Sequence, residues 1–283
     1  MSTVPVRPAK PFAPYLGGKS KLSNVIIRRI AGIEHDLYAE VFVGMGGVFL
    51  RRSLRPKAEV INDYNYEVAN VFRVLEHHYL ALMKLMKFKL TTRREFERLC
   101  KIDPGTLTDL QRAARFIYLQ RTAFGGKVSG QSFGVAPSRS ARFDITRLGT
   151  LLEEVHERLA GVVIECLNFS DFIERYDTET TLFYLDPPYF GGETDYGKGL
   201  FCRSDYAKLA SQLSALKGNF ILSINDRPEI RKVFSQFEFE QHEVTYSVGL
   251  KTADKYPELL VYGGNSLTKD RWEAITEKQG GLF

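Results

Sequence analysis

The feature that most constrains this chain is an apolar run that ends in an acidic residue and two prolines. Residues 181–185, TLFYL, read as a buried strand, and DPPY follows directly at 186–189. Pro187 and Pro188 can continue neither a sheet ladder nor a helix, so the backbone leaves the sheet stiffly at the carboxyl end of the strand. In open α/β sheets, ligands bind at that end. The pattern therefore predicts a rigid ligand-binding turn at the mouth of a parallel sheet.

The DPPY turn carries groups that suit a planar ring with an exocyclic amine. Asp186 offers a carboxylate, Pro187 a carbonyl oxygen without a competing backbone donor, and Tyr189 a ring that can stack on a heterocycle. The alternative is a structural Pro-Pro turn with a solvated Asp and a packed Tyr. Because an acidic side chain at the mouth of a parallel sheet is seldom idle, the ligand site is the favoured interpretation.

A glycine-rich turn after an earlier apolar run indicates a second part of the same site. Residues 39–43, AEVFV, lead into GMGG, and Phe42, Gly44 and Gly46 form a turn that lets a ligand approach the backbone. Asp63 ends the next apolar run about 20 residues after Gly44, where a carboxylate can meet a ribose hydroxyl pair. A nucleoside-containing cofactor and a plain turn with a helix-capping Asp explain these features equally well. Since the glycines do not follow GxGxxG, a single nucleoside is favoured over a dinucleotide.

Apolar runs along the chain predict an α/β fold. A helix at 48–54, VFLRRSL, connects the first two strands, and strand-like VVIECL, TLFYL and NFILSI later alternate with helical DFIERY and SDYAKLASQLSAL. HEVTYSV and ELLVYG read as two strands without a helix between them. They predict an antiparallel hairpin at the edge of the sheet.

A helical insertion interrupts this alternation. Apolar residues over 68–86 recur at the spacing of one long helix, and RREFERL and TDLQRAARFIYLQ predict two further helices with no strand between them. Asp144 is then the predicted N-cap of a helix at which the alternation resumes. The predicted organisation is a discontinuous α/β domain, residues 1–65 and 145–283, that carries a helical insertion at 66–144.

Charge favours a polyanionic partner. The net charge is +5, and the glycine-rich segment 121–142 contains basic residues but no acidic residue. Such a segment can supply cations for phosphates, polar groups for base edges, and an apolar wedge in Phe124 or Phe133. A solvated surface loop is the alternative. The candidate DNA contacts are Arg121, Lys127, Gln131, Arg139 and Arg142.

Cysteine spacing and hydropathy bear on metals and compartment. Cys100, Cys166 and Cys202 are far apart and in no CxxC spacing, so neither a zinc site nor a disulfide framework is predicted. The chain has no signal-peptide core and no run of about 18 apolar residues. We therefore expect a cytoplasmic protein with no membrane partner and no metal, as a monomer or weak dimer.

These elements, in this order, resemble the amino-methylating DNA methyltransferases, and within them the Dam-type, D12 class N6-adenine group. The resemblance covers most of the chain: YLGGK near the amino end, EVFVGMGG on the first strand, NDYN after the second, the helical insertion, and then DPPY. It implies a Rossmann-like sheet that binds S-adenosylmethionine as methyl donor. It also implies that the insertion recognises the target in double-stranded DNA.

Carried over residue by residue, the resemblance assigns S-adenosylmethionine contacts to residues of these motifs. They are Tyr15, Lys19, Phe42, Gly44, Gly46, Asp63 and Asp186. The DPPY residues Asp186, Pro187, Pro188 and Tyr189 would be catalytic and hold an adenine flipped out of the duplex. When a carboxylate and a carbonyl accept both N–H bonds of N6, they favour a pyramidal nitrogen and stabilise its developing charge. No separate general base is then required.

The chain departs from the family in its recognition loop. Members that read GATC carry a motif like NRxxxNGLCRYN, and this chain has QRTAFGGKVSGQ, so we expect a different or relaxed sequence specificity. Tyr15 and Val41 stand where Trp and Pro are common. Two alternatives stay open: methylation of RNA or of a protein amide, and a non-catalytic DNA-binding protein with the same fold.

Overall fold

A seven-stranded mixed sheet lies at the centre of the fold. The computed structural model describes residues 3–15, 17–128, 130–134, 141–195, 197, 199–246 and 254–280. A separate pair of two-residue strands accompanies the main sheet. The strands are β1 (Val4–Pro5), β2 (Leu37–Glu40), β3 (Leu54–Arg55), β4 (Ala58–Asn62), β5 (Val163–Glu165), β6 (Thr181–Leu185), β7 (Asn219–Asn225), β8 (Glu238–Tyr246) and β9 (Asp254–Gly264).

Helices cover both faces of this sheet. No helix among the described residues is both long enough and apolar enough to cross a membrane. The helices are α1 (Ser23–Ala31), α2 (Tyr66–His77), α3 (Tyr79–Met86), α4 (Arg93–Lys101), α5 (Asp109–Thr122), α6 (Ile145–Leu159), α7 (Phe169–Tyr176), α8 (Asp205–Ser214), α9 (Pro228–Val233) and α10 (Lys269–Gly280).

The order of the strands creates a ligand-binding crevice. The main sheet runs β5-β4-β2-β6-β7-β9-β8, and its first five strands are parallel. β9 and β8 run antiparallel, which confirms the predicted edge hairpin and the Rossmann-like α/β class. The chain moves outward from β2 to β5 and then returns to β6 beside β2. Strand order therefore reverses between β2 and β6, and ligands bind at such a switch point in open α/β sheets.

The central strand β6 shows why the DPPY turn has a fixed position. All five of its residues are buried, as expected for a parallel strand covered on both faces. Glu40, the last residue of β2, pairs with Tyr184 near the end of β6. The glycine turn after β2 and the DPPY turn after β6 therefore lie side by side at the carboxyl edge of the sheet.

Two sequence predictions near the amino end were wrong in detail. The predicted helix over 48–54 is a single 3₁₀ turn, Phe49–Arg51. Leu54 and Arg55 pair instead with β1, which leaves too few residues for a helix after the glycine turn. The predicted strand at 39–43 is shifted to β2, which starts two residues earlier and ends at Glu40.

The insertion is built from helices, but its first helix is shorter than predicted. The continuous helix expected over 68–86 breaks at His78, whose φ of −131° and ψ of 27° are not helical. The segment is therefore two helices, α2 and α3, and periodicity alone does not reveal the break between them. The predicted N-cap of α6 is confirmed, because Oδ1 of Asp144 accepts a hydrogen bond from the backbone of Thr146 at 3.0 Å.

Two apolar clusters pack on opposite faces of the sheet, since neighbouring residues of one strand belong to different clusters. Tyr184 belongs to the cluster beneath α1 to α6, and Phe183 to the cluster beneath α7 to α9. The first cluster also contains Ile117 of α5. Helices of the insertion thus share a core with the sheet. The division of the chain at 66–144 stays a prediction, and the shared core argues against a separately folding unit.

Candidate active site

A cavity of about 280 Å³ lies at the carboxyl ends of β2, β4 and β6. It collects residues from four of the motifs singled out in the sequence. Seven of the predicted cofactor-binding or catalytic residues line it: Tyr15, Lys19, Phe42, Gly44, Asp63, Asp186 and Pro188. Gly46, Pro187 and Tyr189 are not in the lining.

Lys19 is the buried centre of a charged network beside this cavity. The side chain is about 1% exposed, and Nζ lies 2.8 Å from Oδ1 of Asp186 and 3.5 Å from Oε2 of Glu258. Nζ also donates a hydrogen bond to the hydroxyl of Tyr189 at 2.7 Å and lies 4.3 Å from the centre of its ring. The Tyr189 hydroxyl in turn donates to Oε1 of Glu258 at 2.7 Å. One ammonium group thereby orients both polar side chains of the DPPY turn.

Asp186 has one anchored oxygen and one that remains available. Oδ1 accepts hydrogen bonds from Lys19 and from Ser223, whose Oγ lies 3.2 Å away. Among the described residues, none donates a hydrogen bond to Oδ2 or to the carbonyl of Pro187. Burial raises the pKa of Asp186 to about 6, although the Lys19 ammonium favours the ionised form. At neutral pH the residue can therefore accept two further hydrogen bonds.

Asp63 joins the glycine turn to the start of α2. Oδ2 accepts the backbone N–H of Gly44 and Oδ1 that of Asn65, both at 2.9 Å. Burial raises the pKa of Asp63 to about 6, against these two backbone donors. Asn65, not Asp63, is the N-cap of α2 and accepts the backbone N–H of Glu67. Asp63 thus stabilises the turn, and it also lines the cavity, where its remaining lone pairs can accept hydroxyl donors.

Two glycines of the turn serve different purposes. Gly44 has a φ of +50°, and a Cβ there would lie 3.0 Å from the ring of Tyr15, so the aromatic ring packs directly on the backbone. Gly46 has a φ of +70°, and its Cβ would lie 2.7 Å from Leu50. Gly46 therefore permits the turn to pack on the following segment, and its cofactor contact stays a prediction.

Phe42 contributes an aromatic wall to the cavity. Its ring packs edge-on against Phe201 with ring centres 5.9 Å apart, and Phe169 lies 6.2 Å away. Phe201 also lines the cavity. These rings provide apolar surface next to the polar groups of Asp63 and Asp186, as is usual in sites for small planar ligands.

Sequence reasoning missed two buried carboxyl groups. Glu40 lines the cavity and accepts a hydrogen bond from the hydroxyl of Tyr38 at 2.5 Å, and burial raises its pKa to about 8. Glu258 lies on β9 and is about 1% exposed. The signal present in the sequence was one acidic residue in each apolar run: Glu40 within AEVFV and Glu258 at the start of ELLVYG. A charge inside a buried strand is expensive unless it has partners.

Some residues of the predicted DNA-contacting segment are exposed, and others form hydrogen bonds within the protein. Lys127 and Arg142 are exposed. Arg121 instead donates to the carbonyl oxygens of Phe12 at 3.3 Å and of Arg142 at 2.5 Å. Its guanidinium therefore holds the chain together, and the geometry gives no support to its predicted DNA contact.

Gln131 also forms bonds within the segment, because Nε2 donates to the carbonyl of Lys127 at 2.9 Å. Arg139 lies outside the described residues. Phe124 is 55% exposed, whereas Phe133 packs against Phe96 with ring centres 5.4 Å apart. Of the two predicted wedges, Phe124 is the one presented to solvent.

A buried amide ties this segment to the cofactor side of the cavity. Nε2 of Gln120 donates to the carbonyl of Pro14 at 2.8 Å and to that of Gly126 at 2.7 Å. A Cβ at Gly126 would lie 3.1 Å from the backbone nitrogen of Tyr15. The basic segment is thus packed against the backbone that carries Tyr15. In the described part of the chain, no group of three His, Cys, Asp or Glu side chains could hold a metal ion.

Comparison with known proteins agrees with this geometry. The family model for D12 class N6 adenine-specific DNA methyltransferases matches residues 15–248. The chain is 27% identical over 275 residues to the type II methyltransferase M1.LlaDCHI of Lactococcus lactis subsp. cremoris, covering 89% of this chain and 94% of that protein. It is 22% identical over 239 residues to the type II methyltransferase M.CviBI of Paramecium bursaria Chlorella virus NC1A, covering 84% and 91% respectively. This chain belongs to the D12 class N6 adenine-specific DNA methyltransferase family.

Proposed function

We propose that this protein transfers a methyl group from S-adenosylmethionine to N6 of an adenine that has been flipped out of DNA. The observation that carries the proposal is the position of Asp186 between the cavity and Tyr189, with Lys19 holding both side chains. Family membership supports a DNA methyltransferase. The donor, the flipped base and the residue roles rest on the fit described below.

The cavity fits an adenosine cofactor with an amino-acid tail. Asp63 offers carboxylate oxygens for ribose hydroxyls, and Tyr15 packed on Gly44 offers an aromatic face beside the backbone. When bound, S-adenosylmethionine would supply an electrophilic methyl group on a sulfonium. Asp186 lines the same cavity, so a nucleophile held by its carboxylate would face that methyl group.

The DPPY turn would hold the target base. A flipped adenine costs roughly a few kcal/mol of stacking and pairing, which the protein must offset with new contacts. Tyr189 offers a ring to stack on, and Oδ2 of Asp186 and the carbonyl of Pro187 can accept the two N–H bonds of N6. Pro188 keeps these acceptors in a fixed orientation. The Asp186 carboxylate then stabilises the positive charge that develops on N6 as the methyl group is transferred.

The exposed part of the basic segment would contact the duplex. Lys127 and Arg142 can neutralise phosphates, and Phe124 can enter the space left by the extruded base. The segment lacks the motif typical of GATC readers, so we propose a different or relaxed target. Because the named relatives are type II methyltransferases, a role in restriction-modification is part of the proposal.

The proposal is tested by methyl transfer from labelled S-adenosylmethionine to DNA that lacks adenine methylation. Single-molecule sequencing then maps every N6-methyladenine. Methylation in one context, or in several related contexts, supports the proposal. Label in RNA or protein instead would favour the alternative amine substrates, and bound cofactor without turnover would favour a catalytically silent DNA-binding protein.

Asp186→Asn is the matched inactive variant, because it preserves shape and removes the negative charge. Asp171→Asn makes the same chemical change at an exposed position on α7 and serves as its control. We expect Asp186→Asn to lose at least about 100-fold in rate while it still binds cofactor and DNA. Full activity of Asp186→Asn would contradict the assigned mechanism.

A further inference from the structure

Arg51 is a partly buried cation that lines the cavity. It ends the 3₁₀ turn that follows the glycine turn, and its Nη1 donates to the carbonyl of Gly47 at 2.5 Å. Burial lowers the pKa of Arg51, because the charged guanidinium is removed from water. Among the described residues, no carboxylate lies within ion-pair distance of it.

The other cationic residue of the cavity lining already forms ion pairs. Lys19 pairs with Asp186 and Glu258. The neighbouring Arg52 also differs from Arg51, because it is buried away from the cavity and pairs with Glu59 at 2.8 Å. Within the described lining, Arg51 is thus the cation whose charge has no acidic partner.

Arg51 lies next to two backbone segments that border the cavity, the glycine turn and the segment that carries Lys19. A Cβ at Gly47 would lie 3.8 Å from Nη1 of Arg51 and 3.5 Å from the backbone nitrogen of Lys19. The guanidinium therefore lies beside the glycine turn and close to the segment that carries Lys19. Asp63, by contrast, contacts Gly44 and Asn65.

We propose that Arg51 binds the α-carboxylate of the amino-acid tail of S-adenosylmethionine. The inference rests on the proposed function, since it assumes that cofactor. The other titratable groups of the lining that could meet an anion are the carboxyl groups Glu40, Asp63 and Asp186, and none of them carries a positive charge. A guanidinium presents parallel N–H donors that match a carboxylate, and an anionic ligand would offset the cost of its burial.

This role would give the site selectivity for the complete amino acid. A ligand with the same nucleoside and amine but without the carboxylate should bind more weakly to the native protein. A variant without the guanidinium should lose that preference, because the two changes remove the same interaction.

The test is isothermal titration calorimetry without DNA, using two ligands and four proteins. The ligands are S-adenosylhomocysteine and its decarboxylated analogue, S-adenosyl-3-thiopropylamine. The proteins are the native chain, Arg51→Gln, Arg51→Lys and the control Lys21→Gln, which neutralises an exposed cation outside the lining. We expect Arg51→Gln to lower the affinity for S-adenosylhomocysteine by about 10- to 100-fold and to change the affinity for the analogue little. The affinity of Arg51→Lys for S-adenosylhomocysteine should lie between those of the native protein and Arg51→Gln. The affinity of Lys21→Gln should match that of the native protein.

The outcomes separate this inference from the proposed function. Equal affinity of the native protein and Arg51→Gln for S-adenosylhomocysteine would overturn the inference, and a DNA phosphate would then be the remaining anion to test. An equal loss for both ligands would also overturn it, because Arg51 would then act by supporting the turn at Gly47. If the native protein bound neither ligand, the proposed cofactor itself would be wrong.

Discussion

The ammonium of Lys19 lies 2.8 Å from Oδ1 of Asp186, and the same atom lies 3.5 Å from Oε2 of Glu258. Two carboxylates therefore share one buried cation, and the charge of Glu258 affects the protonation of Asp186. Lys19 favours the ionised form of Asp186, whereas Glu258 opposes it. The two neighbours should consequently shift the pH dependence of catalysis in opposite directions.

Replacement of Lys19 by Met should move the acid limb of the activity profile to higher pH. Without the ammonium, burial and the Glu258 charge are opposed only by the hydrogen bond from Ser223, so the pKa of Asp186 should rise above its value of about 6. Less of the carboxylate is then ionised at neutral pH, and we expect a loss of at least about tenfold. Single-turnover methylation from about pH 5 to pH 9 measures the limb. An unshifted limb would mean that Lys19 does not set the charge of Asp186.

Replacement of Glu258 by Gln should move the same limb to lower pH. Removal of this negative charge leaves Lys19 and Ser223 to stabilise ionised Asp186 without an opposing carboxylate. The Gln side chain can still accept a hydrogen bond from the hydroxyl of Tyr189. The methylation rate of Glu258→Gln should therefore exceed that of Glu258→Ala, whose rate we expect to fall by about 10- to 100-fold. Cofactor affinity should be retained, because Glu258 is not in the cavity lining. A purely structural role would reduce stability and leave the limb in place.

The native protein should lose kcat/KM as the pH falls below about 6. Burial raises the pKa of both Asp186 and Asp63 to about 6, and each is needed in its ionised form. Two protonations steepen the decline beyond the roughly tenfold per pH unit of a single group. Asp63→Asn should weaken cofactor binding. The acid limb of its pH profile should be shallower, because only Asp186 then titrates. A rate that stays constant down to about pH 5 would contradict these roles.

Glu40→Gln should gain stability relative to the native protein as the pH rises. Burial raises the pKa of Glu40 to about 8 from an ordinary value of 4.5, so the folded state holds this proton more tightly than the unfolded chain. The resulting stabilisation is complete below about pH 4.5 and is lost as the pH rises through about 8. Gln does not titrate, so the difference should reach a few kcal/mol between about pH 5 and pH 9 in urea unfolding. A difference independent of pH would contradict the buried neutral acid.

Two basic residues of the predicted DNA-contacting segment should behave differently when replaced by Ala. Lys127→Ala should weaken DNA binding and lower the slope of its salt dependence by about 1, without changing stability. Arg121→Ala should lower the free energy of unfolding by about 1 to 3 kcal/mol, because the carbonyls of Phe12 and Arg142 lose their donor. Filter binding at several salt concentrations and urea unfolding distinguish them. If Arg121→Ala altered only DNA binding, the structural assignment would be wrong.

Where the backbone chemistry is local, the sequence predicted the structure closely. The strand 181–185 has the predicted bounds, because Pro187 and Pro188 end it without help from the rest of the chain. The helix at 145–159 begins after its predicted N-cap, Asp144, for a similarly local reason. By contrast, the helix expected over 48–54 failed because β1 pairs with Leu54 and the following Arg55, and no local pattern encodes that pairing.

The site shows the same division. Asp186, Asp63 and Lys19 stand in motifs whose spacing marks them, and all three line one cavity. Glu258 could not be found in that way, because its partners Lys19 and Tyr189 come from remote parts of the sequence. The prediction for Arg121 failed for the same reason. The sequence suggests a phosphate ligand, but the guanidinium donates a hydrogen bond to the carbonyl of Phe12, which is remote in sequence.

The Lys19 and Glu258 pairing also has a consequence for folding. It joins an early segment of the chain to β9, so the charged network has high contact order and closes only after a long loop has been formed. During synthesis, a ribosome-bound chain can bury much of the sheet before β9 emerges, yet it cannot assemble this network. Competence for catalysis should therefore arise only after β9 has joined the sheet.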